Sequence, residues 1–535
     1  ENFDLKIPSE IWLNFEIGYY FYFIILILSV FYLLSKKFDL KIFFFISSLL
    51  LLSNYIRNVY VIDEVMIGLE IPYNLFNHGK FSFSPKSMID GSTDLIFLSF
   101  LVPFGFSAEL LMHTNYIFCF LLTLISFYFI YKIIIKYKNK AVAFFLIIFA
   151  SSQLFVKIWS PGFPSTLNVT LLIIAFYLLF KNNKNDLIKL CYLFPLVRPD
   201  GILFSASIFF ILLIDEKKLR IKNYLLTFLS LIIYFIVIKY LYGHFKPTPM
   251  EFKSYGFNYG FIQNILPMQL EILTNTLKKL IILSIPPVVS IYLLKLNNLK
   301  KFLHLLFPFS CIIIFYSIFS MRTHWGGRYL GFIEIYFLIL YSLIFLELSS
   351  NKIKIILKKN KGILSNLDLS LFYNSKVLII STLIFFQLFQ IQDYSQHNIH
   401  RGKNFINQDG NAVTGQILDK IIPNEWPITT TEINYVGYYM HDREVKDLIG
   451  YTNRDISSSN TFNSKGVKIN PFFFKDLDPY LYWNRVLSEK YKKNHLWIDQ
   501  DKSLLNSTYE NIEKFMSFDN TSTDEFVVAN IDEVL

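Results

Sequence analysis

The chain has 535 residues, of which 53% are hydrophobic, 18% aromatic and only 17% charged, with a formal net charge of +10. That usage is far more apolar than a soluble domain tolerates and predicts an integral membrane protein. The basic excess sits in short loops between apolar runs, which reports membrane orientation and excludes a nucleic-acid binder. Abundant Phe (57) and Tyr (34), with much Ile, Lys and Asn, suits an AT-rich bacterial genome. Cys119, Cys191 and Cys311 lie unpaired in apolar segments, so neither a disulfide framework nor a zinc site is expected.

Residues 1 to 16 carry Glu1, Asp4, Glu10 and Glu16 against Lys6, so no cleaved signal peptide with a basic head is expected. Runs long enough for a bilayer of roughly 30 Å follow at 17–35, 41–56, 112–131, 141–158, 166–180, 223–243, 277–294, 302–320, 329–348 and 376–391. The stretch 187–214 is broken by "RPDG" and reads as two short helices meeting at the break. The prediction is a membrane all-α fold of about twelve spans.

The connections at 35–41, 132–140, 181–189, 215–223, 295–301 and 351–362 are rich in Lys and should be cytoplasmic. Residues 57–111, 159–166, the "RPDG" tip, 244–276, 322–329 and everything beyond about 392 then face outward, the periplasm or exterior of a bacterial inner membrane. Domain division falls there: 1–391 is the polytopic part, and 392–535 turns polar. "WPITTT" (426–431) and "EVKDLIG" (444–450) look like strands and "EINYVGYYM" (432–440) like a helix, so a soluble mixed α/β domain is expected. No repeat is apparent along the chain.

Every unusual polar feature falls on the outward side. Asp63 and Glu64 follow the second apolar run by about seven residues. A charge near the bilayer centre costs at least ~2.5–3.5 kcal/mol, so carboxylates at a membrane face can be there for solvent alone. A carboxylate in a partly desolvated cleft can equally have its pKa raised into the range useful for proton abstraction. The loop 74–94 offers His78, Asp90 and Thr93 among turn residues Gly79, Pro85 and Gly91, then enters "LIFLSFLVPFG", too short to span and expected along the membrane surface.

Arg198 and Asp200 admit two readings. They form an internal ion pair that steadies a broken helix, or Arg198 offers its planar, permanently charged fork to a phosphate. "YGHFKPTPMEFKSYG" (242–256) brings His244 and Lys246 to the same side, where a basic residue also meets lipid headgroups. "RTHWGGRY" gathers Arg322, His324 and Arg328 around Gly326 and Gly327, which suits an anion pocket or a tight turn. "HNIH" (397–400) lacks further ligands for a metal site.

In this order the pieces resemble the GT-C class of polytopic glycosyltransferases, and within it the mycobacterial terminal arabinofuranosyltransferases and their bacterial relatives. That family places "DDAYI…ARNLAEGHGLVFNPGEPVEGYTSFLW" where this chain has "DEVMIGLEIPYNLFNHGKFSFSPKSMIDGSTDLIFL". Its "RPEG" is similar to "RPDG" (198–201), its "YGDLLPNTFYAK" to the 242–256 stretch, and its "GGRF" to "GGRY" (326–329). A "VVDLVGLTD"-type element is similar to part of 429–456. Glu64 stands where a second Asp is commoner, "VM" replaces a small-plus-aromatic pair, and "KPTP" lacks "LPNT".

The resemblance implies inverting transfer of a sugar from a polyprenyl-phosphate donor to an extracytoplasmic glycan, glycolipid or protein acceptor. Asp63 takes the place of the general base and Glu64 the second acidic place. Arg198, joined by Lys246, Arg322 or Arg328, would face the donor phosphate. His78, Asp90, Thr93, Asp200, His244 and His324 would line the substrate. No cofactor is called for, although the acidic pair has the chemistry to hold a divalent cation. The competing expectation is a polytopic transporter or flippase of lipid-linked sugars, which would have a similar helix count.

Overall fold

The computed structural model describes residues 15–34, 39–58, 63–86, 88–137, 140–156, 158–159, 162–216, 221–253, 266–293, 295–319 and 331–349, together with short pieces between 419 and 530. Those residues are mostly helical. In order the helices are α1 (Phe15–Leu34), α2 (Leu40–Asn58), α3 (Asp63–His78), α4 (Leu95–Leu101), α5 (Ala108–Ile134), α6 (Lys140–Ser151), α7 (Gln153–Val156) and α8 (Thr166–Phe180). They continue as α9 (Lys184–Val197), α10 (Gly201–Glu216), α11 (Ile221–Tyr242), α12 (Thr248–Lys253), α13 (Leu266–Leu293), α14 (Lys300–Leu303), α15 (Leu306–Phe319) and α16 (Gly331–Ser349).

The long helices fall on the apolar runs. Two of them, residues 108–137 and 221–242, are long and apolar enough to cross a membrane. On α11 the exposed residues include Leu225, Phe228, Leu229, Ile232, Ile236 and Val237, while Thr227, Ser230 and Tyr234 are buried together with Ile238. This inversion of the soluble pattern is the one a lipid-facing helix needs. Aromatic rings knit the interior: Phe309 meets Phe332 at 5.2 Å and Tyr336 at 5.0 Å, and Phe44 stacks on Tyr131 at 4.4 Å.

Two boundaries differ from the sequence reading. The expected span 141–158 stops at Ser151, and Ser152 separates α6 from the short α7. The stretch 57–111, expected to face outward, contains a true helix, α3, despite its charges and Pro72. "LIFLSFLVPFG" forms α4 followed by a 3-10 turn at Val102–Phe104. The run 376–391 and the segment "HNIH" lie outside the described residues.

The "RPDG" break has a simple cause. Proline disfavours helical backbone in the residue before it, and Arg198 is extended at φ −150°, ψ 143°. The chain turns back at once, because a Cβ on Gly201 would lie 2.2 Å from the Phe194 carbonyl oxygen. Only glycine lets α9 and α10 approach this closely.

Among the described residues, four short strands occur toward the C-terminus: β1 (Ile428–Thr430), β2 (Val445–Asp447), β3 (Leu496–Asp499) and β4 (Val527–Asn530). They pair in parallel in the order β2-β1-β3-β4. The first two fall inside the expected strand segments. Of the expected helix at 432–440, residues 437 and 438 are helical, and most of the remainder lies outside the described residues.

Candidate functional site

One end of the bundle collects the described candidate residues. Its frame is built by side chains that satisfy backbone groups where helices stop. Asn54 donates to Ala150 O at 3.0 Å and Ser152 O at 3.2 Å, closing the α6–α7 break. Tyr55 donates to Tyr116 O at 2.9 Å, and Asn115 donates to Gly162 O at 3.0 Å. α2, α5, α6 and the turn at Gly162 that leads into α8 are thereby fixed to each other.

Arg198 leaves the end of α9 and is bound on two sides. Its Nε donates to Asp200 Oδ1 at 2.9 Å and its Nη2 to Asp200 Oδ2 at 3.3 Å. Its Nη1 donates to both Asp94 oxygens, at 3.1 and 3.0 Å. Asp200 also accepts from the Tyr316 hydroxyl, which ties α15 to the joint. Side-chain exposures of 11% for Arg198, 7% for Asp94 and 18% for Asp200 make this a partly dehydrated cluster. Among the described residues it joins two carboxylates to one guanidinium. The internal ion-pair reading of Arg198 and Asp200 is what the geometry shows, with Asp94 as a further partner.

The loop before α4 is held by the same frame. Tyr234 of α11 donates to Thr93 O at 3.0 Å, and Tyr242 donates to Phe81 O at 2.8 Å. Asp90 is 1% exposed and accepts from both the backbone N–H and the hydroxyl of Thr248, where α12 begins. His244 joins from the other side, with Nε2 3.3 Å from Asp90 Oδ1 and Nδ1 2.9 Å from Lys246 O. Lys246 pairs with Glu251 at 2.9 Å. Asp90, Thr93, Asp200, His244, Lys246 and Arg198 therefore occupy one region, and each has an internal partner there. His78, at the far end of α3, lies 3.4 Å from Asp442 instead.

Asp63 and Glu64 are the first two residues of α3, and the placement of their side chains lies outside the description. Their backbone can be located from Ile67, one turn on. A Cβ on Gly91 would come within 2.9 Å of the Ile67 side chain, and Gly91 is three residues before Asp94. At ~1.5 Å of rise per residue, the start of α3 is only ~5 Å along the axis from that contact. Arg322, His324 and Arg328 lie outside the described residues. Among the described residues no group of three or more His, Cys, Asp or Glu is arranged to hold a metal ion.

Sequence reasoning missed four contributors: Asp94, Thr248, Tyr234 and Tyr316. Asp94 is 104 positions from Arg198, and no spacing rule connects them. The one available signal was stoichiometric, since a buried arginine needs carboxylates enough to satisfy a five-donor fork. No protein-family profile, curated protein or solved structure matches the chain.

Proposed function

We propose that the chain is a multi-pass inverting glycosyltransferase of the GT-C type in a bacterial inner membrane, using a polyprenyl-phosphate sugar at its outward face. The observation that carries the reading is the gathering of polar candidates at one end of an apolar helix bundle. The helix that begins with Asp63 and Glu64 is packed there through Ile67 and Gly91. A lipid-phosphate donor keeps its tail among acyl chains and its sugar at the surface, so acid–base groups must wait at that depth. Phe100, Phe104 and Phe106, exposed on and just after α4, suit an element lying in the lipid–water boundary beside Asp94.

Asp63 takes the proton from an acceptor hydroxyl as that oxygen attacks the anomeric carbon. The bond to the lipid phosphate breaks on the opposite face, and the configuration inverts. Glu64 orients Asp63 or holds the acceptor or a cation. Arg198 has a different part from direct phosphate capture: its guanidinium is committed to Asp94 and Asp200, so it positions them. Lys246, Arg322 and Arg328 are the cations proposed for the departing phosphate. The C-terminal segment, a mixed α/β domain in this reading, meets the acceptor.

The test is to incubate purified protein with a panel of polyprenyl-phosphate sugars and follow release of free lipid phosphate. Release that requires Asp63 supports the reading, and no turnover across the panel removes it. A second reading, transport or flipping of a lipid-linked sugar, is favoured by the paired ionisable groups at the α9–α10 break, a placement transporters use. Movement of labelled lipid across a vesicle membrane without cleavage would select it.

A further inference from the structure

One face of α3 carries positions 63, 67, 70 and 74, related by turns of the helix. Glu70 is 2% exposed and Asn74 is fully buried. The Asn74 amide is oriented by two carbonyls, because Nδ2 donates to Ser82 O at 3.1 Å and Phe83 O at 2.9 Å. Its Oδ1 is thereby turned away and finds no donor. Glu70 Oε2 lies 3.5 Å from the same Nδ2, and Glu70 Oε1 finds no donor either. Two buried acceptor oxygens on consecutive turns are thus unpaired, an arrangement that proteins avoid. A single proton on Glu70 resolves it, turning that carboxyl from acceptor into donor beside an oxygen that needs one.

The charges around this pair act in one direction. Burial first, and the Asp442 carboxylate second, push the Glu70 carboxyl well above its ordinary value. Tyr73, on the same helix, hydrogen-bonds with Asp442, and its hydroxyl is likewise raised, by burial first and then by Asp442, Glu70 and Asp419. Asp442 also faces His78 at 3.4 Å, and Asp419 pairs with Arg443 at 3.0 Å.

Asp442 belongs to a stretch whose described residues between 437 and 454 lie across the outer end. Within it Tyr438 donates to Ala108 O, Gly437 lies against the Phe83 ring, and Val445 packs with Ile67 and Phe83. Arg454 donates to Lys246 O at 3.0 Å. The segment therefore touches α3, the 79–94 loop and the His244 stretch at once.

We propose that Glu70 is a proton-operated latch, which holds the 437–454 segment down on α3 when protonated and releases it when ionised. The coupling is reciprocal: a docked Asp442 favours the proton on Glu70, so the proton favours docking by the same factor. Rising pH ionises Glu70 against Asp442 and lifts the segment off the loops that carry Asp90 and Lys246. This holds whatever reaction the outer end performs.

The experiment is hydrogen–deuterium exchange of residues 437–454 in the full chain in lipid nanodiscs, across pH and corrected for intrinsic exchange. In the wild type, protection should fall with rising pH by up to about tenfold per unit while Glu70 titrates. Glu70→Gln stays neutral and should show a shallower fall. Asp442→Asn removes the opposing charge and should flatten the profile too, with weaker docking throughout. Superimposable profiles for wild type and Glu70→Gln overturn the proposal; if that variant fails to fold, an unchanged slope in Asp442→Asn overturns it. Calcium or magnesium restoring protection at high pH in the wild type but not in Glu70→Gln also overturns it, since the unpaired oxygens would then hold a cation.

Discussion

The two ends of the helix bundle handle charge in opposite ways. At the Lys301 end, cations and carboxylates pair between neighbouring helices: Lys184 with Glu216 at 2.8 Å and Lys301 with Asp215 at 2.7 Å. Lys301 also reaches Asn182 Oδ1 at 3.0 Å. The two lysines are about a third exposed, and pairs of this kind contribute about 0–1 kcal/mol. At the Arg198 end the ion cluster is less hydrated and held by a guanidinium, which among the described residues pairs with two carboxylates. Lysine pairs fasten one end at the water-facing surface, whereas the other buries its ion pairs around one guanidinium, where losing a partner costs far more.

That contrast can be broken most decisively at Asp63. Asp63→Asn should insert and express normally yet lower sugar transfer by roughly 10²–10⁴, the usual scale for a removed acid–base group. Near wild-type release of lipid phosphate by the purified variant would end its role as base. Next in size, Arg198→Ala leaves Asp94 and Asp200 facing each other without their cation. Thermal unfolding in detergent should register a loss of about 3–5 kcal/mol, and an unchanged melting curve would show that the cluster is not structural either.

Glu70 sharpens the comparison through pH. Its folded-state affinity for the proton is raised, so its stabilisation is complete below the ordinary carboxylate value of 4.5 and is lost as pH rises toward the folded value. Wild-type stability should therefore decline relative to Glu70→Gln above pH 4.5, by at most about 1.4 kcal/mol per unit. Parallel melting temperatures for the two proteins across that range would contradict the assignment. The smallest effect belongs to the other end: Lys301→Ala should cost less than about 1 kcal/mol, and a loss as large as that of Arg198→Ala would erase the distinction.

How much of this was legible beforehand differs by element. The apolar runs announced α1, α2, α5, α8, α11 and α16 because unbroken apolar stretches of that length exceed a strand and favour a helix. The α9–α10 joint was equally open to reading, since Pro199 and Gly201 act locally. α3 was not, because Asp63, Glu64, Glu70 and Pro72 disguise it as a loop; its helical state depends on burial against the 79–94 loop, which is a tertiary fact. Asp94 was hidden for the same reason. Its neighbours Asp90 and Thr93 drew attention as polar loop residues, and nothing local marked Asp94 as the group that reaches α9.

The missing side chain at residue 201 has a mechanical corollary. With the Phe194 carbonyl pressed against the Cα of Gly201, the elbow between α9 and α10 has no slack, and Arg198 rides on a rigid post. Any rearrangement that admits a bulky guest must be taken up elsewhere, by the strands of chain at 79–94 and 243–248, whose moorings are hydrogen bonds that can be exchanged for new ones. The post fixes where Arg198 stands, and the moorings fix the loops around it.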